Sequence, residues 1–139
     1  MSTIGTFRGN YYFLSNFYLC QIEFEGITYP SSEHAFQAAK TLDMDRRAFI
    51  ATRSSPGSAK IEGRRVRLRK DWERVKIDIM KDILRIKFTN PTLKKKLLDT
   101  GQAILCEGNN WGDTFWGICK GKGTNHLGRL LMQVREELR

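Results

Sequence analysis

Histidine and cysteine are scarce in this chain. It holds two histidines, His34 and His126, and three cysteines, Cys20, Cys106 and Cys119, far apart and odd in number. That pattern contains no CxxC pair and no disulfide framework. With so few donors a zinc site is not expected, and a Ser-His-Asp arrangement has no support. Each cysteine sits beside apolar residues and reads as a small core hydrophobe. No apolar run approaches the roughly 20 residues of a membrane span. The first ten residues lack the basic-then-apolar layout of a signal peptide, so a cytoplasmic chain is expected. A GxGxxG after a strand is missing, as is a P-loop; Gly121-Lys122-Gly123 is too short for either, although its backbone could approach a phosphate. Repeats, low-complexity stretches and linkers are missing too. With 139 residues, the expectation is one domain spanning residues 1–139, long enough to bury a core without disulfides or metals.

Positive charge is abundant. Lysine and arginine number 24 against 15 acids, for a net charge of +9. Such a surface attracts nucleic acid, nucleotides and sugar phosphates, but a merely basic, soluble surface carries the same charge. The run Arg64-Arg65-Val66-Arg67-Leu68-Arg69-Lys70 fits a solvated face and could also contact phosphates. Hydrophobic residues at 40% and charged residues at 28% are a globular balance.

Periodicity predicts mostly helices. Residues 11–29 are strand-like and aromatic, with Ile22 and Phe24 on one face and Gly26 turning a short hairpin. Pro30, Pro56 and Pro91 each read as an element start. Ser31 or Ser32 caps a helix over His34–Lys40 with Glu33 in its first turn. Further helices are predicted over 45–52, 56–64, 72–88, 92–99 and 126–138, the last capped by Thr124 or Asn125. In the longest, Trp72, Val75, Ile79, Ile83 and Ile86 form one apolar stripe, widened by Met80, Leu84 and Phe88. Residues 103–107 read as a short strand, and 111–118 as partly extended. The fold class expected is α+β: a predominantly helical single domain with a small antiparallel sheet from the N-terminal third and the 103–118 region. Strand and helix do not alternate, which disfavours a doubly wound sheet.

Four segments carry residues that could do chemistry. Asn10–Tyr18 packs five aromatics into nine residues; some could stack on a planar base, with Asn16 and Phe17 as candidate contacts, or the segment is an aromatic core strand. Glu33, Gln37 and Lys40 share a helical stripe at i, i+4 and i+7, lining a cleft or forming a cap and a solvated face. Trp72, Lys76 and Met80 lie at i, i+4 and i+8: a heterocycle platform beside an anion-holding amine, or a core tryptophan beside a snorkelling lysine. Asn109–Gly117 sets Trp111 and Trp116 around Asp113 in a glycine-rich loop, a pocket wall or a turn closed by Asp113's own side chain.

Taken in order, these segments resemble the NADAR superfamily, which includes N-glycosidases acting on riboflavin-biosynthesis intermediates. The match runs through Phe13-Leu14-Ser15-Asn16-Phe17, Ser32-Glu33-His34-Ala35-Phe36-Gln37-Ala38-Ala39-Lys40, Trp72-Glu73-Arg74-Val75-Lys76 with Met80 and Lys87-Phe88, Asp113-Thr114-Phe115-Trp116-Gly117, and Gly121-Lys122-Gly123-Thr124-Asn125-His126-Leu127-Gly128 leading into Leu131-Met132-Gln133-Val134-Arg135. The resemblance implies metal-free hydrolysis without a cofactor, in a site built from Glu33, Trp72, Asp113 and Trp116. Glu33 is then the main catalytic carboxylate and Asp113 its partner, acid and base unassigned. Breaking a ribosyl C–N bond builds positive charge at the anomeric carbon, which carboxylates stabilise, as in glycoside hydrolysis. Trp72 and Trp116 would wall the heterocycle; Arg8, Lys40 and Lys76 would hold phosphate; Asn16, Phe17, Gln37, Gly117 and Asn125 complete the candidate substrate contacts. The expected substrate is a phosphorylated ribosylamino-pyrimidine. Three other functions remain open. They are removal of ADP-ribose from guanine in nucleotide or nucleic acid, non-catalytic binding of ADP-ribose or NAD, and general nucleic-acid binding. No membrane partner is expected.

Overall fold

The computed structural model describes residues 2–139. Along the chain run β1 (Thr3–Ile4), a 3-10 helix (Gly9–Leu14), β2 (Leu19–Phe24), β3 (Ile27–Ser31), α1 (Ser32–Ala38), α2 (Met44–Ala51), α3 (Pro56–Gly63), α4 (Trp72–Lys87), α5 (Pro91–Asp99), β4 (Ile104–Leu105), β5 (Gly108–Asn109), β6 (Ile118–Cys119) and α6 (His126–Glu137). The class is α+β, as the patterning predicted. The chain divides into two compact units, one of residues 2–15 with 88–139, the other Asn16–Lys87.

The Asn16–Lys87 unit starts from the predicted hairpin. β2 and β3 pair antiparallel with Phe24 opposite Ile27 and Ile22 opposite Tyr29. Glu25 and Gly26 both take positive φ, 49° and 88°, the backbone twist that a two-residue hairpin turn demands. Ile22 and Phe24 are buried on one face, as their alternation required. Pro30 does not begin an element: it is the fourth residue of β3. The ladder has only two strands, so its missing N–H costs no central pairing. β3 then runs directly into α1, because Ser31 is both the last strand residue and the N-cap.

Every residue of α1 is buried. Ala35, Ala38 and Ala39 are small enough for α2, α3, α4 and the hairpin all to pack against this one short helix. α1 stops at Ala38, short of the predicted Lys40. Asp43, Ser55 and Asn90 cap α2, α3 and α5 with their side chains, and Pro56 and Pro91 stand at the first helical positions as predicted. The buried seam of α4 holds Trp72, Met80, Ile83, Leu84 and Lys87. Val75, Ile79 and Ile86 lie at its half-buried margin. Both α1 and β2 pack against α4.

In the other unit, residues 11–14 are a 3-10 helix rather than a strand. Phe13 and Leu14 are buried side by side while Tyr11 and Tyr12 are exposed, a pattern that strand alternation cannot supply. The 103–118 region does not add to an antiparallel sheet. β1 pairs with β4 and β5 with β6, both parallel and two residues long; no tight hairpin joins either pair, so nothing forces antiparallel pairing. α6 buries Leu127, Leu130, Leu131 and Val134. Of the cysteines, Cys119 is buried, and Cys20 and Cys106 are half-buried. No helix among the described residues is long and apolar enough to cross a membrane.

Candidate active site

The candidate residues fall in both units, and each set is built by its own unit. In Asn16–Lys87 the base is the start of α1. Ser31 Oγ accepts the His34 backbone N–H at 3.1 Å and lies 2.7 Å from His34 Nδ1; His34 Nε2 lies 3.0 Å from the Arg53 carbonyl. A carbonyl only accepts, so Nε2 carries the proton and Nδ1 accepts the Ser31 hydroxyl. Burial lowers the His34 pKa, which keeps the ring neutral. This clamp fixes the helix turn that carries Glu33.

Glu33 is buried, 9% exposed. Its backbone N–H donates to the Asn16 carbonyl at 3.0 Å, and its Oε2 accepts from Gln37 Nε2 at 2.8 Å. Ser32 Oγ donates to Asn16 Oδ1 at 3.0 Å, and Asn16 Nδ2 reaches Met80 Sδ at 3.6 Å. Asn16, Glu33 and Gln37 are thus brought together, the last two on a buried helix rather than a solvated face. Phe17, next to Asn16, is exposed. The Gln37 oxygen, Oε1, is buried with no hydrogen-bond partner. It faces Gly63, where a Cβ would come within 1.9 Å of it.

Lys40 lies in the turn after α1, half-buried. Burial pushes its ammonium below the ordinary lysine range; Glu33 opposes this, while Arg64, Lys60 and Lys76 reinforce it. Trp72 is buried, its ring 5.0 Å from Phe36 and tilted by 50°. It packs against α1 through this ring contact. Lys76 Nζ lies 2.5 Å from Glu73 Oε2.

The second set gathers at the 109–117 loop. Asp113 Oδ1 accepts the backbone N–H groups of Phe115 at 3.1 Å and Trp116 at 2.9 Å. Asn109 braces the turn: its Oδ1 accepts the Asp113 N–H at 3.0 Å and its Nδ2 donates to the Asp113 carbonyl at 2.9 Å. Asp113 therefore closes its own turn and sets the direction of Trp116. Phe115 stands edge-on to Trp116 at 4.9 Å and lies 4.5 Å from the His126 ring. Gly117 is buried where a Cβ would meet the Glu107 carbonyl oxygen at 2.1 Å. Asn125, in left-handed backbone with φ 57°, makes no side-chain cap to α6. Its Nδ2 instead donates to the Leu105 carbonyl at 2.9 Å, and its Oδ1 accepts the Glu107 N–H at 3.0 Å. It acts as a strut for the 105–107 backbone. Arg8 is exposed at the entry to the 3-10 helix. Among the described residues no three His, Cys, Asp or Glu side chains are grouped closely enough to hold a metal ion.

The NADAR domain family matches residues 6–139. The chain belongs to the NADAR family. N-glycosidase YbiA of Escherichia coli (strain K12) is 45% identical over 128 residues, covering 89% of this chain and 79% of that one. A riboflavin biosynthesis protein of Vibrio vulnificus is 40% identical over 133 residues, which are 93% of this chain but only 36% of the relative. The NMR structure of the E. coli protein YbiA superposes with a TM-score of 0.85 at 42% identity, covering 99% of this chain and 86% of that one. Within this NADAR chain, sequence reasoning missed Gly63, and it named Ser32 and Asn109 without the bonds they make to Asn16 and Asp113. None has a signature by itself, since each matters through a partner distant in sequence or through a backbone contact.

Proposed function

We propose that this chain is an N-glycosidase that hydrolyses the ribosyl C–N bond of a phosphorylated ribosylamino-pyrimidine, with Glu33 as its principal catalytic carboxylate. The observation that carries the assignment is the 2.8 Å bond from Gln37 to a carboxylate only 9% exposed. Removing an ionised carboxylate from water is costly unless hydrogen bonds repay it, and here a buried amide is committed to it. Relatives named N-glycosidase and riboflavin biosynthesis protein support the reaction and the substrate class.

The chemistry is a displacement by water. The C–N bonding pair leaves with the nitrogen, which takes up a proton; water adds its oxygen to the anomeric carbon and gives up a proton. Glu33 stabilises the positive charge that develops at that carbon or accepts the proton of water. Asp113 is the second carboxylate proposed, and its Oδ1 bonds to Phe115 and Trp116 would hold it in a fixed orientation. A ring carried by Trp116 would wall the leaving base. Incubating pure protein with the candidate substrate should release ribose 5-phosphate and free base, followed by mass spectrometry. Intact substrate after prolonged incubation would defeat the assignment. The net charge of +9 favours one second reading, removal of ADP-ribose from guanine in nucleic acid. The same assay, run on ADP-ribosylated oligonucleotide, separates the two by product.

A further inference from the structure

The 109–117 loop shows one tryptophan to solvent. Of the three in the chain, Trp72 is buried and Trp116 half-buried, while Trp111 is 56% exposed. Among the described residues its indole makes no ring contact, hydrogen bond or cation contact. A single exposed apolar side chain is ordinary on a protein surface. What sets Trp111 apart is the loop beneath it. Asn109 clasps Asp113 with both ends of its amide: Oδ1 accepts the Asp113 N–H at 3.0 Å and Nδ2 donates to the Asp113 carbonyl at 2.9 Å. Those bonds close a loop over Asn110, Trp111 and Gly112, all of them exposed. Gly112 takes φ 88°, a value that lets so short a loop turn back. Asn109 Nδ2 also lies 3.3 Å from the Glu107 carbonyl, which ties the root of the loop to the chain before it.

Trp116 stands on the same frame. Asp113 Oδ1 holds its N–H, and Phe115 and His126 back its ring at 4.9 and 6.2 Å. The start of α6 adds a second hold, since the N–H groups of His126 and Leu127 donate to the Phe115 and Trp116 carbonyls at 3.1 and 3.0 Å. Asp113 thus sits at the foot of both tryptophans. Two residues of backbone lead from Trp111 to Asp113, at most about 7 Å of chain. Stacked rings keep their centroids about 4.5–7 Å apart, so two plates holding one planar ring between them need a separation on the order of 10 Å. Indoles rooted this close can meet that requirement. A braced loop also presents its ring without the ordering cost that a loose one incurs on binding. The exposed chain neighbours of Trp111, namely Asn110, Gly112 and Thr114, are small or polar. The indole is therefore an isolated plate and not the centre of an apolar protein interface.

We propose that Trp111 is the outer plate of the base-binding site, stacking on the planar leaving heterocycle from the side opposite Trp116 and setting the preference for substrates that carry a flat aromatic base. This rests on the N-glycosidase reading, in which Trp116 walls that base.

The test is calorimetric titration of the full chain with 6-aminouracil, a planar aminopyrimidinedione, and with ribose 5-phosphate, for the wild type, Trp111→Ala and Trp111→Phe. Trp111 is exposed and its ring lies outside the hydrogen bonds of the loop, so both variants should melt with the wild type. Trp111→Ala is expected to lose at least about fivefold in affinity for 6-aminouracil, the lower end of what one base–aromatic stack contributes. Trp111→Phe should keep most of that affinity, and ribose 5-phosphate should bind all the proteins alike. Steady-state kinetics on the ribosylamino-pyrimidine should show the same factor in KM with kcat kept. Wild-type affinity for 6-aminouracil in folded Trp111→Ala overturns the proposal, as does a wild type that fails to bind the base at millimolar concentration. An equal loss for ribose 5-phosphate overturns it too, since Trp111 would then only be shaping the loop. So does a Trp111→Ala protein changed solely in its sedimentation, which would make the ring a contact between copies. Should Trp111→Ala misfold, acrylamide quenching of wild-type fluorescence decides: 6-aminouracil must shield the exposed indole, and unchanged quenching removes the plate. The reading beneath fails separately. A protein that binds 6-aminouracil through Trp111 yet releases no base from the ribosylamino-pyrimidine loses the N-glycosidase reading and keeps the plate. An active enzyme indifferent to Trp111→Ala loses only the plate.

Discussion

Replacing Gln37 with leucine probes the least ordinary contact in the structure. The amide donates to Glu33 Oε2 at 2.8 Å, yet its oxygen is buried without a partner against the Gly63 backbone. Leucine is similar in size and removes both features. A hydrogen bond to a charged group contributes about 1.5–3 kcal/mol, while an unsatisfied buried oxygen costs about 1–3 kcal/mol. The two changes nearly offset, so the variant should melt within a few degrees of the wild type. Turnover is a different matter. If the amide serves to hold Glu33 in its reactive orientation, losing it removes stabilisation from the transition state and not from substrate binding. At about 1.4 kcal/mol per decade, kcat should fall by roughly tenfold to a hundredfold with KM unchanged. Steady-state kinetics with product detection, together with a melting curve, measure both quantities. A folded Gln37→Leu protein with wild-type kcat would refute the reasoning. A raised KM at constant kcat would instead make Gln37 a direct substrate contact.

Asp113→Asn keeps an oxygen to accept the Phe115 and Trp116 N–H groups but removes the charge. Melting should be unchanged while turnover drops by at least tenfold; full activity would leave Asp113 only its role in the turn. Gly117→Ala places a Cβ 2.1 Å from a backbone oxygen, which no rotamer can relieve, so calorimetry should show a destabilisation of about 1–3 kcal/mol. Lys87 is buried with its pKa depressed from 10.5 to about 8 by desolvation, Cys20 opposing. The folded state therefore releases its proton before the unfolded state does, and stability should rise as pH climbs from about 8 to about 10.5. Lys87→Met should abolish that rise, measured by denaturant unfolding at several pH values.

Local signals were legible in the sequence. The hairpin at Glu25-Gly26, the Ser31 cap and the proline-led starts of α3 and α5 depend on neighbouring residues alone, and all are where local chemistry puts them. The same holds for the order of the motifs that revealed the NADAR family. What could not be read depended on partners distant in the chain. Residues 11–14 are rich in aromatics with high strand propensity, yet tertiary packing buries Phe13 and Leu14 together and turns the segment into a 3-10 helix. The helix bearing Glu33 carried a polar stripe that could line a cleft or face water, and the sequence did not choose between them. Four neighbouring elements cover it, which buries Glu33 and Gln37. Asn125 looked like a cap or a substrate contact; its side chain instead spans to backbone twenty residues earlier. Gly63 carries no signature, because its meaning lies in the side chain it lets approach.

The central claim is that Glu33 performs the chemistry. Glu33→Gln preserves size and hydrogen-bonding reach while removing the charge, so single-turnover release of ribose 5-phosphate from the phosphoribosylamino-pyrimidine substrate tests it most directly. The account predicts a variant that melts close to the wild type and still binds ribose 5-phosphate, with turnover reduced by about a thousandfold or more. Wild-type turnover in the folded Glu33→Gln protein would contradict it.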